Sequence, residues 1–219
     1  MKFNNIKTLI FDYDGTIHNS LKIYKPAFLK AYEFLVHEGY KPTKSFKDSE
    51  IASFLGQSPK EMWDTFGKGL DQSVKNHASQ IISNVMAEMI DNGEAQLYNH
   101  AMDTLKTLKS RGYTLVFLSN CRIDYMEKHK QLFDLGDVFR DMVCAEAYDY
   151  IEKYEIFNQI KTRYDPKMVM IGDRKHDIKT GINNHLFTIG CTYGFGTKDE
   201  LSQADYLIDD ITELLDMFK

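Results

Sequence analysis

Short apolar runs alternate with longer amphipathic segments along most of the chain. The first run, Thr8-Leu9-Ile10-Phe11, is apolar throughout, which is typical of a strand buried on both faces of a sheet. Four further runs of this kind are Tyr113–Asn120, Met142–Ala147, Lys167–Asp173 and Leu186–Gly190. The segments between them carry apolar residues at helical spacing. Strands that alternate with helices predict a parallel sheet covered by helices on both faces.

The region from about Leu21 to Asn92 departs from this alternation. Its apolar residues recur at helical spacing, as in the segment 27–40, which we predict to be a helix ending at Gly39. Ser58-Pro59 has the residue types of a helix start. The pattern predicts an α/β, Rossmann-like core of residues 1–17 and 93–219, interrupted by an all-helical domain of residues 18–92. Because the interruption directly follows Asp12 and Asp14, we expect this domain to cover them.

Composition and charge narrow the possible partners. The chain has 219 residues and a net charge of −5, and its 27 Lys and Arg residues form no basic block, which argues against nucleic acid as a partner. It contains no apolar run of about 18 residues, so we expect no membrane association. The absence of a signal-peptide pattern and the three widely spaced cysteines favour a cytoplasmic protein with reduced thiols. No sequence feature indicates the oligomeric state.

Polar side chains follow three of the predicted strands. They are Asp12 and Asp14 after the first strand, Ser119 and Asn120 at the end of the second, and Asp173 with Asp177 after the fourth. Each end by itself could be a helix cap, because Ser, Asp and Asn are common there. Three such ends together favour a ligand site, since parallel strands bind ligands at their carboxyl ends. Clustered carboxylates suit a hard cation, and Mg²⁺ is the usual one where phosphate also binds.

A phosphate site next to carboxylates also needs a positive group. Lys153 is the best candidate, because it begins a predicted helix after the third strand and follows the acidic segment 145–152. Taken alone, a lysine at a helix start is more often a solvated surface residue. Lys153 lies in chain order between the polar end of the second strand and that of the fourth, and this position favours a functional role.

The ordered motifs resemble those of the haloacid dehalogenase-like superfamily. They are Asp12-Tyr13-Asp14-Gly15-Thr16, Ser119-Asn120, Lys153, and Gly172-Asp173-Arg174-Lys175-His176-Asp177. The last motif, with the segments TIGCTYGFG and ADYLIDD, is similar to the phosphoglycolate-phosphatase-like branch, and the helical insertion resembles that branch's cap domain. Two features differ from the branch. Tyr154 follows Lys153 where proline is frequent, and Asn99-His100 replaces a frequent Pro-Gly turn.

The resemblance implies a magnesium-dependent phosphatase that hydrolyses a small phosphorylated metabolite through an aspartyl-phosphate. Asp12 would be the nucleophile, and Asp14 would protonate the leaving group and then activate water. The residues implied to bind the phosphoryl group are Gly15, Thr16, Ser119, Asn120 and Lys153. Those implied to hold Mg²⁺ are Asp12, Asp14 through its backbone carbonyl, Asp173, and Asp177 directly or through water.

Other chemistries are absent or less favoured. The chain lacks a Walker A loop, the cysteine-arginine spacing of a cysteine phosphatase and an HExxH motif, and we interpret Tyr193–Gly196 as a loop near the sheet edge. Asp14 resembles the acid of phosphatases and phosphomutases, so a sugar phosphomutase stays open, as does a binding or regulatory protein without turnover. Phosphoglycolate, a sugar phosphate, a nucleoside monophosphate and pyrophosphate all stay open as substrates.

Overall fold

The structure, a computed structural model, describes residues 5–219. Within this range six strands form one parallel sheet in the order β3-β2-β1-β4-β5-β6. The strands are β1 (Thr8–Phe11), β2 (Thr114–Ser119), β3 (Asp141–Cys144), β4 (Met168–Gly172), β5 (Phe187–Cys191) and β6 (Tyr206–Ile208). The predicted parallel sheet is confirmed.

Helices cover both faces of this sheet, as the alternation predicts. The helices of the described chain are α1 (Leu21–His37), α2 (Asp48–Ala52), α3 (Pro59–Phe66), α4 (Gln72–Asp91), α5 (Ala101–Ser110), α6 (Ile123–Leu132), α7 (Lys153–Ile160), α8 (Lys175–Asn183) and α9 (Leu214–Met217). Leu9 and Phe11 lie in the apolar cluster that includes residues of α5, α6 and α9, whereas Ile10 packs with residues of α7. This division follows from the alternation of side chains along a strand, and it explains why a strand buried on both faces is apolar throughout.

The strand register brings the predicted site residues to one edge of the sheet. Phe11 is paired with Phe117 of β2 on one side and with Ile171 of β4 on the other. Asp12, Ser119 and Asp173 therefore all follow these pairs at the carboxyl ends of three adjacent strands.

The chain divides into two compact units. The core unit runs to Asn19 and resumes at Leu97–Lys219, and the second unit is Ser20–Gln96. Within the core unit, the two passages of the chain are joined by backbone pairing. The Tyr98 amide donates to the Ile17 carbonyl at 2.8 Å, and His18 forms an antiparallel bridge with Leu97.

The regular elements of the second unit are the helices α1 to α4. Helix α1 ends close to Gly39, whose φ of +76° is the left-handed conformation typical of a glycine after a helix. Ser58 is the N-cap of α3 and accepts a hydrogen bond from the Glu61 amide at 3.3 Å, and Pro59 is the first helical residue, as predicted. Phe28 packs against an aromatic cluster that includes Phe54 and Phe66. None of the helices in residues 5–219 is long and apolar enough to cross a membrane.

Two segments of the core differ from the sequence pattern or from the family pattern. The predicted strand Met142–Ala147 is too long, because β3 ends at Cys144 and Ala145–Tyr148 forms a 3₁₀ turn. The amides of Asp149 and Tyr150, both in the left-handed conformation, donate to the carbonyls of Glu146 at 3.3 Å and Ala145 at 2.9 Å, so these backbone groups bond within the turn and not to a neighbouring strand. His100, at the start of α5, has a φ of +62°. His100 therefore adopts a left-handed conformation that glycine adopts more readily.

Candidate active site

Asp12 and Lys153 form a buried ion pair at the carboxyl end of β1. Asp12 continues the sheet, because its amide donates to the Ile171 carbonyl at 2.9 Å, and its side chain is only 5% exposed. Lys153 is the first residue of α7, which directs its side chain to this edge. Its Nζ donates to Asp12 Oδ1 at 2.6 Å and to Asp177 Oδ1 at 2.7 Å. Lys153 therefore belongs to the site and is not a solvated surface lysine.

Asp12, Asp173 and Asp177 converge on one point, and we call them the carboxylate cluster. Each offers an oxygen within 4.8 Å of the others, and all three residues are buried. Asp177 lies in the first turn of α8, where its Oδ2 accepts a hydrogen bond from the Arg174 amide at 2.9 Å. When all three carboxylates are ionised, their negative charge exceeds the positive charge of Lys153, which bonds to two of them. The all-oxygen donor set and this excess fit a divalent hard cation such as Mg²⁺.

Burial and mutual repulsion raise the pKa values of two aspartates in the carboxylate cluster. Burial, with a further contribution from Asp177, raises the pKa of Asp12 well above its ordinary value, although Lys153 opposes this. Burial and Asp177 raise the pKa of Asp173 from 3.8 to about 7. Burial disfavours the charged form of Lys153, but Asp12 and Asp177 outweigh it and raise the lysine pKa. A bound cation would reverse the shift of the two aspartates, because it favours the carboxylate form.

Three glycine backbones surround Asp173 and hold its carboxylate in place. A Cβ atom on Gly15 would lie 2.2 Å from Asp173 Oδ2, one on Gly194 would lie 2.3 Å from Asp173 Cβ, and one on Gly196 would lie 1.8 Å from its carbonyl oxygen. The Phe195 amide donates to Oδ2 at 2.7 Å. The loop Tyr193–Gly196 is therefore part of the site, which the sequence interpretation did not foresee.

Asp14 lies apart from the carboxylate cluster in a shell of aromatic and imidazole groups. The Tyr125 hydroxyl donates to Asp14 Oδ1 at 2.7 Å, and His18 Nδ1 lies 3.0 Å from the same oxygen. Burial raises the pKa of Asp14, but hydrogen bonds from His18 and Tyr125 outweigh it, so the pKa lies below its ordinary value. The two aspartates of the first motif thus occupy different electrostatic environments. Sequence reasoning missed both Tyr125 and His18.

His129 supports this shell from α6. Its Nδ1 lies 2.9 Å from the Tyr125 carbonyl oxygen, which can only accept, so we assign the hydrogen to Nδ1. Its ring centroid lies 4.1 Å from that of Tyr125 and 4.6 Å from that of His18. Burial and the neighbouring His18 lower the pKa of His129 from 6.5 to about 4. His129 is therefore neutral at neutral pH.

This shift predicts a loss of stability in mild acid. The unfolded state binds a proton on His129 near pH 6.5 and the folded state does so only near pH 4, so the stability is complete above pH 6.5 and decreases as the pH falls towards 4. Between pH 7 and pH 5 we expect His129 to lower the free energy of unfolding by about 2 kcal/mol. Urea unfolding followed by circular dichroism at the two pH values measures the change.

The variant His129→Asn tests the assignment, because an amide can still donate to the Tyr125 carbonyl but does not titrate. We expect the free energy of unfolding of His129→Asn to fall by about 2 kcal/mol less than that of the wild type between pH 7 and pH 5. His37→Asn is the matched control, since the His37 side chain is 85% exposed. An unchanged pH dependence in His129→Asn would contradict the assignment.

The remaining predicted residues lie at the same edge of the sheet. Gly15 has a φ of +92°, and the Thr16 hydroxyl donates to Asp173 Oδ1 at 3.3 Å. Ser119 is buried at the end of β2, with Asn120 directly after it. Burial raises the pKa of the Cys121 thiol, which shares a hydrogen bond with Ser119. A protonated thiol at this position is not a nucleophile.

Comparison with known proteins identifies the family. The sequence model of the haloacid dehalogenase-like hydrolases matches residues 9–191, which is most of the chain. The chain belongs to the haloacid dehalogenase-like hydrolases. The predicted membership is confirmed, and the matched residues include the four ordered motifs that begin at Asp12, Ser119, Lys153 and Gly172.

Two relatives with phosphatase activities in their names resemble the chain over nearly its whole length. A phosphoglycolate phosphatase from Vibrio parahaemolyticus is 24% identical over 232 residues, covering 99% of this chain and 98% of that protein. A pyrophosphatase PpaX from Bacillus cereus is 24% identical over 218 residues, covering 96% and 95%. A solved structure of a haloacid dehalogenase-like hydrolase from Streptococcus pneumoniae has a TM-score of 0.80 at 23% identity, covering 98% of this chain and 99% of that one. This structural likeness concerns the fold.

Proposed function

We propose that this phosphatase hydrolyses small phosphate monoesters with Mg²⁺ as cofactor and with an aspartyl-phosphate on Asp12. The observation that carries the proposal is the separation of the two motif aspartates. Asp12 lies in the carboxylate cluster beside Lys153, and Asp14 lies in a separate hydrogen-bonded shell. One aspartate is thus available for attack and the other for proton transfer.

In this reaction Asp12 attacks phosphorus and displaces the leaving oxygen, which takes a proton from the protonated form of Asp14. The negative charge of a phosphate ester bound beside Asp14 favours this form, against the lowering of its pKa by His18 and Tyr125. Asp14 then takes a proton from the water that hydrolyses the aspartyl-phosphate. Lys153 fixes Asp12 through its hydrogen bond to Oδ1 and offers positive charge to the phosphoryl oxygens. Ser119, the Asn120 backbone and the backbone at Gly15 and Thr16 bind the remaining oxygens.

The carboxylate cluster would hold Mg²⁺, together with the backbone carbonyl of Asp14. A cation there neutralises the charge of both the carboxylates and the phosphate, so that an anion can approach Asp12. Asp173 has the most restricted position of the three, because Thr16, Phe195 and the surrounding glycines fix it. Asp177 bonds to Lys153 and to the Arg174 amide, which suits contact with a metal-bound water.

The substrate is best found by a phosphate-release screen over about a hundred phosphorylated metabolites in the presence of Mg²⁺. Phosphoglycolate and pyrophosphate belong in it because relatives with these activities in their names align over nearly the whole chain. Repeating the screen with a sugar bisphosphate activator detects a phosphomutase, which would isomerise a sugar phosphate and release little phosphate. Absence of phosphate release from every compound would contradict the proposed hydrolysis.

Removal of the metal is expected to abolish turnover. Excess EDTA should stop phosphate release, and Mg²⁺ should restore it better than Ca²⁺, which prefers more ligands at longer distances. Asp173→Ala should raise the Mg²⁺ concentration for half-maximal activity by at least about tenfold, since changes of supporting ligand groups have effects of this size. Titration of phosphate release with Mg²⁺ measures the recovery after EDTA and the half-maximal Mg²⁺ concentration of Asp173→Ala.

Asp141→Ala is the matched control for this titration. Asp141 begins β3 and accepts a hydrogen bond from Tyr164 at 2.8 Å, at the amino end of the sheet. Its loss should leave the Mg²⁺ requirement unchanged. Full activity in EDTA would exclude the carboxylate cluster as an essential metal site.

We further propose that the unit Ser20–Gln96 serves as a cap that limits substrate size. The support is its place in the chain, directly after the segment that carries Asp12 and Asp14. A closed cap excludes bulk water during phosphoryl transfer and leaves room for small esters only. We expect rapid release of phosphate from small esters and none from a folded phosphoprotein, measured at equal phosphate concentration. Efficient dephosphorylation of the folded phosphoprotein would contradict the cap.

A further inference from the structure

Both side-chain hydrogen bonds of Asp14 reach the same oxygen. Tyr125 Oη lies 2.7 Å from Oδ1, and His18 Nδ1 lies 3.0 Å from it. Tyr125 Oη and His18 Nδ1 are themselves 3.0 Å apart, so the three groups form a closed triangle. A carboxylate can only accept, so we assign a hydrogen to His18 Nδ1 and both partners then donate to Oδ1. The torsion of the carboxyl group is thereby fixed.

The two donors are themselves held rigidly. Tyr125 lies in the first turn of α6, where its carbonyl accepts a hydrogen bond from His129 and its ring packs on the His129 ring. His18 is fully buried and stacks on Tyr13 with ring centroids 5.2 Å apart and an interplanar angle of 16°. The His18 backbone is fixed by its bridges to Asp14 and Leu97. Functional groups need this kind of support, from residues whose own side chains are held by packing and hydrogen bonds.

We propose that Tyr125 and His18 are positioning residues that hold Oδ1 of Asp14 and thereby present Oδ2 as the oxygen that gives and takes the proton. This inference rests on the proposed function, in which Asp14 is the acid and base. Neither residue touches the reacting atoms in this scheme. Their effect is to keep Oδ2 within reach of the leaving oxygen and then of the attacking water, where small misplacements lower the rate strongly.

Tyr125→Phe tests the proposal, because it removes one hydroxyl group and keeps the ring that packs on His129. With p-nitrophenyl phosphate the first step needs no proton, since nitrophenolate leaves readily, whereas hydrolysis of the aspartyl-phosphate needs a base. We expect the rate of the nitrophenol burst to be unchanged and the steady-state rate to fall by about tenfold, the usual size for one hydrogen bond to a charged group. Stopped-flow absorbance resolves the two phases.

Tyr164→Phe is the matched control, because the Tyr164 hydroxyl also donates to a carboxylate, that of Asp141, at 2.8 Å. Tyr164→Phe should change neither the nitrophenol burst nor the steady-state rate. A merely structural effect of Tyr125→Phe would lower the burst amplitude and the steady-state rate together, because both report the fraction of active enzyme. That result, or kinetics equal to wild type, would overturn the proposal.

His18 variants provide an independent measurement. His18→Asn keeps an amide nitrogen near the position of Nδ1, whereas His18→Phe keeps the ring volume without a donor. We expect the steady-state rate of His18→Asn to exceed that of His18→Phe by at least about threefold, with equal KM. Equal rates of the two variants would remove His18 from the proposal.

A double-mutant cycle separates this inference from the proposed function. If Tyr125 acts through Asp14, then Tyr125→Phe should cause no further loss in the Asp14→Asn background. A full tenfold loss in that background would overturn the positioning role while leaving the function of Asp14 intact. Wild-type activity of Asp14→Asn alone would instead contradict the proposed function itself.

Discussion

Asp12→Asn is expected to lower turnover by at least about four powers of ten, which is the scale for loss of a catalytic nucleophile. The amide is nearly isosteric with the carboxylate, but it is a poor nucleophile and a weaker metal ligand. Its carbonyl oxygen can still accept the hydrogen bond from Lys153, so the local packing is preserved. Phosphate release at saturating Mg²⁺ measures the loss.

The variant should fold at least as well as the wild type. Replacing one of three buried carboxylates reduces their mutual repulsion, so the metal-free protein should unfold at an equal or higher temperature. Mass spectrometry of acid-quenched wild-type protein should show a phosphoryl group on the peptide that contains Asp12, and the variant should lack it. Retention of more than about a hundredth of the wild-type rate would exclude nucleophilic attack by Asp12.

Asp14→Asn is expected to have a large effect that depends on the leaving group. An alkoxide leaves poorly without a proton, so turnover of an alkyl phosphate such as phosphoglycolate should fall by about two to four powers of ten. With p-nitrophenyl phosphate the first step should persist. The variant should then release a burst of nitrophenol and turn over slowly, because water attack still needs a base. The phosphorylated form of Asp12 should accumulate and be detected by mass spectrometry.

Metal affinity gives the control for this variant. The Asp14 side chain bonds to Tyr125 and His18, and only its backbone carbonyl is proposed to contact Mg²⁺, so Asp14→Asn should bind Mg²⁺ normally. Equal losses on both substrates, without a burst or a covalent intermediate, would show that Asp14 has a structural role. The division of roles between Asp12 and Asp14 would then be wrong.

Much of the core could be predicted from the sequence because its signals are local. Strands buried on both faces have few polar residues, so β1, β2, β4 and β5 stand out as apolar runs. The end of β3 could not be predicted in this way. The residues after Cys144 include apolar Ala145 and Ala147, but they form a 3₁₀ turn in which the Ala145 carbonyl accepts a hydrogen bond from the Tyr150 amide.

Tyr125 and the loop Tyr193–Gly196, which sequence reasoning missed, contact site residues that are distant in the chain, whereas His18 is only four residues from Asp14 and no motif marks it. Tyr125 lies 111 residues from Asp14, and in sequence it is one more residue of an amphipathic helix. The loop Tyr193–Gly196 carried a signal, its two glycines, but glycine in a loop indicates a turn as readily as a close approach. Only the fold shows that Gly194 and Gly196 leave space for Asp173. Lys153 could be predicted because it occurs in order within a set of motifs.

The central position of β1 has a consequence for synthesis on the ribosome. β1 precedes the other five described strands in the chain, yet its two neighbours in the sheet, β2 and β4, begin at Thr114 and Met168. Ser20–Gln96 is continuous in sequence and can close its own contacts while the core strands are still absent. β1 therefore stays an unpaired apolar segment until β2 and β4 have been synthesised. Unpaired apolar segments aggregate readily and bind chaperones. Strands that are distant in sequence pair slowly, so we expect aggregation to compete with folding mainly in this interval.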